Sequence, residues 1–277
     1  MTKKCNLKQI ILLLVVFELF NGIVLNAQNL KFPYELKKSD FVLLPLGLAA
    51  YYGGESWIDG KGTISEEEIA ILNRNNINKF DRHATEIFNL RAGNASDLIR
   101  TSLIIIPGFL VGHQLFDRKW NPALTLGLMY YETYLYTKGM TAMAKAITGR
   151  TRPYLYNDNL TTEERYEYTK TRDSYGSFFS GHTSATFAAA TCMSKWFTDI
   201  YGKSTLSNIV WGTSITVASL GGYYRYRSGE HYPTDVLAGA LFGFAIGYTI
   251  PLLHTKGKSE SIDFSATPNF LYLSLKF

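Results

Sequence analysis

The chain has 277 residues, is 46% hydrophobic and 18% charged, and carries a formal charge of +5. That length holds one sizeable core or at most two small domains. The mild positive balance comes without a basic block, which argues against a nucleic-acid partner. Two cysteines, Cys5 and Cys192, rule out a cysteine zinc site and a disulfide framework. The low charged fraction suits a helical protein that meets a membrane, yet a mean hydropathy of -0.04 is low for a chain that is mostly membrane.

Lys3, Lys4 and Lys8 precede the apolar run Ile10 to Phe17, and Val24-Leu-Asn-Ala27 comes before Gln28. A basic start, a short apolar stretch and a small residue at the cut predict a signal peptide over residues 1–27. The rival reading is an uncleaved anchor, because Ile10 to Leu25 approaches spanning length. Either one exports the rest of the chain. Without Lys3, Lys4, Lys8 and Glu18, 25 basic residues face 22 acidic ones, a balance of +3.

Residues 28–95 read as a lead-in with short helices. Its apolar run, Phe41 to Tyr52, is too short to span a bilayer. Asp59-Gly-Lys-Gly62 followed by Glu68 resembles the end of a calcium loop. The register puts Trp57 and Lys61 at ligand positions, which excludes calcium. Ser65 and Glu68 instead form a capping box that opens a helix. His83 has no partner pattern and reads as a surface residue.

Residues 96–255 are predominantly helical. Leu98 to Phe116 is apolar, with a kink expected at Pro107-Gly108 and His113 packed or interfacial. Pro122 to Ile147 is a long helix. Arg150 to Tyr175 is polar and aromatic and reads as a long loop or cap. Thr183 to Phe197 is helical, with Cys192 a small core residue. Ser204 to Tyr224 and Val236 to His254 carry no charged side chain apart from the terminal histidine. The second approaches the ~20 residues that cross a bilayer, and both also fit buried helices of an all-α core. His254 reads as a helix C-terminal residue. Residues 256–277 form a tail. Phe270 to Phe277 alternates like a terminal strand, but the hairpin series of a membrane barrel does not accompany it.

Three clusters carry chemistry. Lys145 and Arg152 are seven residues apart, two turns if the helix continues. Gly149 and Pro153 argue instead that the helix ends and a loop swings Arg152 inward. Two cations converging with no acid nearby suit a phosphate-like dianion, with Arg as a planar fork and Lys as a point charge. Ser180-Gly181-His182 is a small turn opening a helix. Its free amides can bind anionic oxygens, Ser180 adds a hydroxyl, and His182 offers a proton. Arg225, His231 and Asp235 place a cation, a histidine and an acid at a helix start. Asp235 accepting from one ring nitrogen of His231 leaves the other free to attack. Each cluster alone is also an ordinary helix terminus.

Together they resemble a known signature. Lys145-x6-Arg152-Pro153, Ser180-Gly181-His182 and Arg225-x5-His231-x3-Asp235 are similar to the three-part motif of the type 2 phosphatidic acid phosphatase superfamily. That superfamily also holds bacterial class A acid phosphatases and vanadium haloperoxidases. The likeness runs from about Tyr130 to His254. Phe179 stands where the family usually has Pro, and Tyr224 where it usually has Ser, whose lost hydroxyl removes one support for bound phosphate.

The resemblance implies an all-α bundle of about six core helices, possibly membrane-embedded, with the site at one end. It implies that Lys145, Arg152, Arg225, Ser180 and the Gly181 amide bind the phosphoryl oxygens. His231 would attack phosphorus, oriented by Asp235, and His182 would protonate the leaving oxygen and then activate water. No metal and no cofactor is needed, because three cations supply the positive field. The expected substrate is a phosphate monoester or pyrophosphate, of a membrane lipid or of a small ester. The expected location is the bacterial periplasm or a membrane with the site on the periplasmic side. A soluble periplasmic acid phosphatase and a vanadium haloperoxidase are the alternatives. Arg150 and Arg227 are assigned to the rim or to structure.

Overall fold

A computed structural model of the chain describes residues 32–170 and 173–257, together with the backbone of 262–266 and 271–275. The leader prediction lies outside the described residues. Eight α-helices are present among them: α1 Asp40–Asp59, α2 Glu66–Ala70, α3 Leu90–Phe116, α4 Trp120–Thr148, α5 Thr162–Thr169, α6 Gly181–Tyr201, α7 Thr205–Arg227 and α8 Pro233–Leu253. Six of these are long and form the bundle, as the resemblance implies. The lead-in contributes more than short helices, since α1 runs 20 residues and is one of the six. The anticipated boundary at residue 95 falls inside α3.

Local signals set the helix ends. Ser65 accepts from the Glu68 amide while the Glu68 carboxylate accepts from the Ser65 amide, the predicted capping box. Thr161 and Glu164 do the same for α5. The polar stretch after Arg150 is therefore not all loop: it holds a 3-10 turn at Pro153–Tyr156 and the helix α5. Helix α3 continues through Pro107. The tail forms an antiparallel hairpin of β1 Ile262–Ala266 with β2 Leu271–Leu275, in the register Phe264 to Leu273. Sequence alternation marked only the second strand.

Helix α6 is the central post, packed against α3, α4, α7 and α8. Its inner face is small or apolar: Ala188, Ala189, Ala190, Cys192, Met193, Trp196 and Phe197 are all buried. The large core lies at its C-terminal half, where Trp196, Phe197 and Met193 meet Leu110, Leu126, Met129 and Ile250. Cys192 sits in that core as predicted.

At the N-terminal half the packing is tighter. A Cβ on Gly239, Gly243 or Gly247 would stand 2.7, 2.2 or 2.4 Å from the carbonyl oxygens of Ser180, Ser184 and Ala188. Glycine at every fourth position of α8 thus lets its backbone lie on that of α6. This contact brings together the starts of α6 and α8, which carry His182 and the His231–Asp235 turn. A second close approach, Gly139 against Ala50 and Gly54 against Ala142, seats α1 on α4.

Candidate active site

The candidate site forms where α4 stops and α6 and α8 begin. Gly149, with φ 52°, caps α4 in the left-handed region and donates its amide to the Lys145 carbonyl. The chain then turns inward, so Arg152 enters from the loop, as Gly149 and Pro153 foretold. Arg225 lies in the last turn of α7. His182 is in the first turn of α6. Lys145, Arg152, Gly181, His182, Arg225 and His231 all line one cavity of ≈ 540 Å³.

The geometry of His231 defines its chemistry. Its ring is buried, and Nδ1 lies 2.8 Å from the Ser177 carbonyl oxygen. A carbonyl only accepts, so Nδ1 carries the proton and Nε2 keeps its lone pair. Arg152 donates to that nitrogen across 3.4 Å. Burial first, then the nearby Arg152 and Arg225, bring the imidazole pKa down to about 4. His231 is therefore neutral at pH 7, with Nε2 facing the cavity, the form a nucleophile needs.

Asp235 works differently from expectation. Its Oδ2 is 3.6 Å from His231 Nδ1, beyond a hydrogen bond. The carboxylate instead accepts from Ser177 Oγ at 2.5 Å, the Tyr232 amide at 2.9 Å and Arg150 at 2.5 Å. Asp235 holds Ser177, and the Ser177 carbonyl holds the ring. Arg150 is a buttress: it also donates to Asp81 at 2.7 Å, and its guanidinium lies 3.9 Å from the Tyr232 ring centroid. Asp81 in turn accepts from the amide and hydroxyl of Thr234.

Ser180 is placed off the cavity wall. It is buried as the N-cap of α6, and its Oγ accepts from the Thr183 hydroxyl at 2.9 Å. The adjoining Gly181 is on the wall and presents the first helical amide. Phe179, where proline was expected, stacks on Phe242 with centroids 4.9 Å apart and so pins this turn to α8.

Sequence reading missed Asp97 and Asp173, and it offered Glu230 only as a partner for Arg150 or Arg227. Asp97, on α3, lies 2.8 Å from His182 Nε2 and 3.8 Å from Arg225. Glu230 accepts from Arg152 at 2.7 Å and from Arg225 at 2.8 Å through the same oxygen. Asp173 accepts from Lys145 at 2.7 Å and from Arg152 Nε at 2.8 Å. The expectation that Lys145 and Arg152 converge with no acid nearby is thus corrected. Burial works against the Asp173 charge, but Arg152 and Lys145 hold its carboxyl well below the usual range. Glu230 adjoins His231 in sequence and was legible as a neighbour. Asp97 and Asp173 reach the site from 85 and 28 residues away from their partners, where no local pattern announces them.

His182 is held chiefly by burial, then by Arg225, at a pKa of about 3, against the pull of Asp97. It is neutral at pH 7 before substrate arrives. A bound dianion raises it, because negative charge favours the imidazolium.

The remaining predicted histidines lie elsewhere. His83 is exposed beside Glu86, and His113 is packed 3.8 Å from Asp117.

No curated protein and no solved structure matches the chain. Residues 123–258 match the model of the PAP2 superfamily, the stretch that holds every motif residue and the carboxylates Asp173 and Glu230. The three motif cations and two neutral histidines around one cavity accord with phosphatase- or haloperoxidase-type chemistry, and residues 123–258 of the chain belong to the PAP2 superfamily.

Proposed function

We propose that this chain is a phosphatase that cleaves phosphate monoesters or pyrophosphates of membrane lipids through a phosphohistidine on His231. The observation that carries this reading is the orientation of His231. Its protonated Nδ1 is fixed by the Ser177 carbonyl, and its Nε2 lone pair faces a cavity shared with Lys145, Arg152 and Arg225. The Nε2 lone pair attacks phosphorus, the bond from phosphorus to the ester oxygen breaks, and His182 as imidazolium gives that oxygen its proton. Water then attacks, loses a proton to His182, and the nitrogen–phosphorus bond breaks to release phosphate. The three cations neutralise charge on the equatorial oxygens, so the step runs without a metal ion. Asp97 stabilises the imidazolium of His182 across its 2.8 Å contact.

The lipid reading rests on the surface. Leu237, Leu241, Phe244, Tyr248 and Leu252 are exposed along one face of α8. Ile209, Val217 and Leu220 on α7 and Leu98 and Ile105 on α3 extend the apolar surface. Helices α3 and α8 are long and apolar enough to cross a membrane. The cavity wall also includes Ile104, Tyr130, Ala185 and Ala188, apolar side chains that can contact a hydrocarbon chain. With the leader predicted to export the chain, the catalytic end faces the periplasm.

Phosphate release from a matched panel tests this reading. Lipid phosphates and pyrophosphates in mixed micelles should be hydrolysed with higher kcat/KM than water-soluble esters. A preference for soluble esters, with release of the protein by salt alone, would reject the lipid assignment. Halide oxidation with added vanadate and no phosphate release would reject the phosphatase.

A further inference from the structure

A second buried histidine sits at the far end of α8, about 30 Å along that helix from the catalytic end. His254 is 1% exposed. The sequence suggested an ordinary helix end. The structure places its Nε2 3.2 Å from Asp40 Oδ1 and 3.4 Å from Glu132 Oε2. Asp40 opens α1 and Glu132 is in α4, so three separate helices converge.

Glu132 is 1% exposed, and among the described residues neither of its oxygens takes part in a hydrogen bond. An ionised carboxylate is not left so in a protein interior unless something positive compensates it. His254 Nε2 likewise has no hydrogen-bond partner among the described residues, while its Nδ1 donates to the Ile250 carbonyl at 2.9 Å. That second contact places a proton on Nδ1, so in the neutral ring Nε2 turns its lone pair toward both carboxylates, the arrangement that metal-bound histidines adopt.

We propose that Asp40, Glu132 and His254 bind one divalent transition-metal ion, with zinc as its representative, clasping the first and last core helices together. The donor atoms all lie within 4.8 Å of one another. Bonds of about 2.0–2.1 Å in a tetrahedron separate ligand atoms by roughly 3.3–3.5 Å, close to the two observed histidine–carboxylate distances. Charge agrees as well: two carboxylates and a neutral imidazole balance a dication. Nitrogen and oxygen donors in this ratio suit zinc or manganese better than the all-oxygen shells of calcium and magnesium. The segment before α1 closes over the cluster, with Glu35 donating its amide to the His254 carbonyl and Lys256 donating to that of Pro33. The ion has no part in phosphoryl transfer, which happens at the other end of the bundle.

The test uses the full chain in detergent, stripped with a chelator and titrated with Zn2+ or Co2+. We expect one ion per chain, the intense visible absorption of tetrahedral Co2+, and a Tm raised by roughly 5–10 °C at about 100-fold excess over Kd. Glu132→Gln and His254→Gln should each abolish the Co2+ spectrum and the Tm rise. A stripped wild-type chain that binds neither ion and keeps its Tm overturns the proposal, leaving a triad neutralised by protons. Retention of the spectrum in both variants overturns it too. If a variant fails to fold, the wild-type stoichiometry and Co2+ spectrum decide alone.

Discussion

The two ends of this bundle each bury a histidine among carboxylates, yet they are built for opposite charges. At the candidate active site, His231 and His182 lie among Lys145, Arg152 and Arg225, and every carboxylate there already answers a cation or a histidine. At the far end, His254 meets Asp40 and Glu132, and no lysine or arginine is paired with either acid among the described residues. The same imidazole lone pair therefore faces an anion site in one place and a cation site in the other. What a buried histidine does is decided by the sign of the charges packed around it, which depends on tertiary contact.

The largest expected effect comes from removing the proposed nucleophile. His231→Asn should lower kcat by on the order of 10³-fold or more, with the cavity still binding vanadate. Steady-state phosphate release and vanadate protection against thermal unfolding would check both halves. His254→Gln, the matching change at the far end, should leave kcat within a few-fold.

Next come the cations. Arg152→Lys keeps the charge but loses the fork that spans Asp173, Glu230 and His231, and should cost about 10²-fold in kcat/KM. An unchanged kcat/KM would show that charge alone suffices. Asp97→Asn should lower kcat by about 10–100-fold for poor leaving groups and less for a nitrophenyl ester, as expected for a group acting through the acid His182.

The glycine contact offers a structural break. Gly243→Ala puts a Cβ 2.2 Å from the Ser184 carbonyl, so α6 and α8 must separate. A destabilisation of about 1–3 kcal/mol is expected, with kcat falling because His182 and His231 move apart. Thermal unfolding beside kcat measures the two together. Ser180→Ala, at a buried cap off the cavity wall, should cost about 1 kcal/mol of stability and change KM little.

The pH profile sharpens the comparison further. His231 is neutral above its pKa of about 4 and protonated below it, so kcat/KM should fall as pH drops through 4. His182, also depressed, cannot bring its own proton at neutral pH, so the substrate monoanion must carry it. Activity should therefore also decline as pH rises past the second phosphate pKa near ~6.

Much of the site was readable in the sequence because its residues sit at chain features with local signatures. Gly149 ends α4, Ser180 starts α6 and Pro233 starts α8, and the functional side chains are counted from those points. Five of the six long helices were readable from apolar runs, whereas α1 showed only as the short run Phe41 to Tyr52 in a lead-in of short helices. What stayed hidden was relational. Asp173 between Lys145 and Arg152, Asp97 on His182, and Ser177 rather than Asp235 on His231 are contacts between distant segments. His254 looked like a helix end because its partners, Asp40 and Glu132, lie in helices that only folding brings to it. The second strand of the tail hairpin was visible by alternation, while its partner, Ile262–Ala266, was not.

The central claim is covalent catalysis by His231, and the stereochemical course at phosphorus tests it most directly. An isotopically chiral phosphate monoester would be turned over with an acceptor alcohol in place of water. Two in-line displacements through phosphohistidine predict retention of configuration in the transferred phosphoryl group. Inversion would mean one direct displacement, with His231 as a base or a binding residue, and would contradict the account.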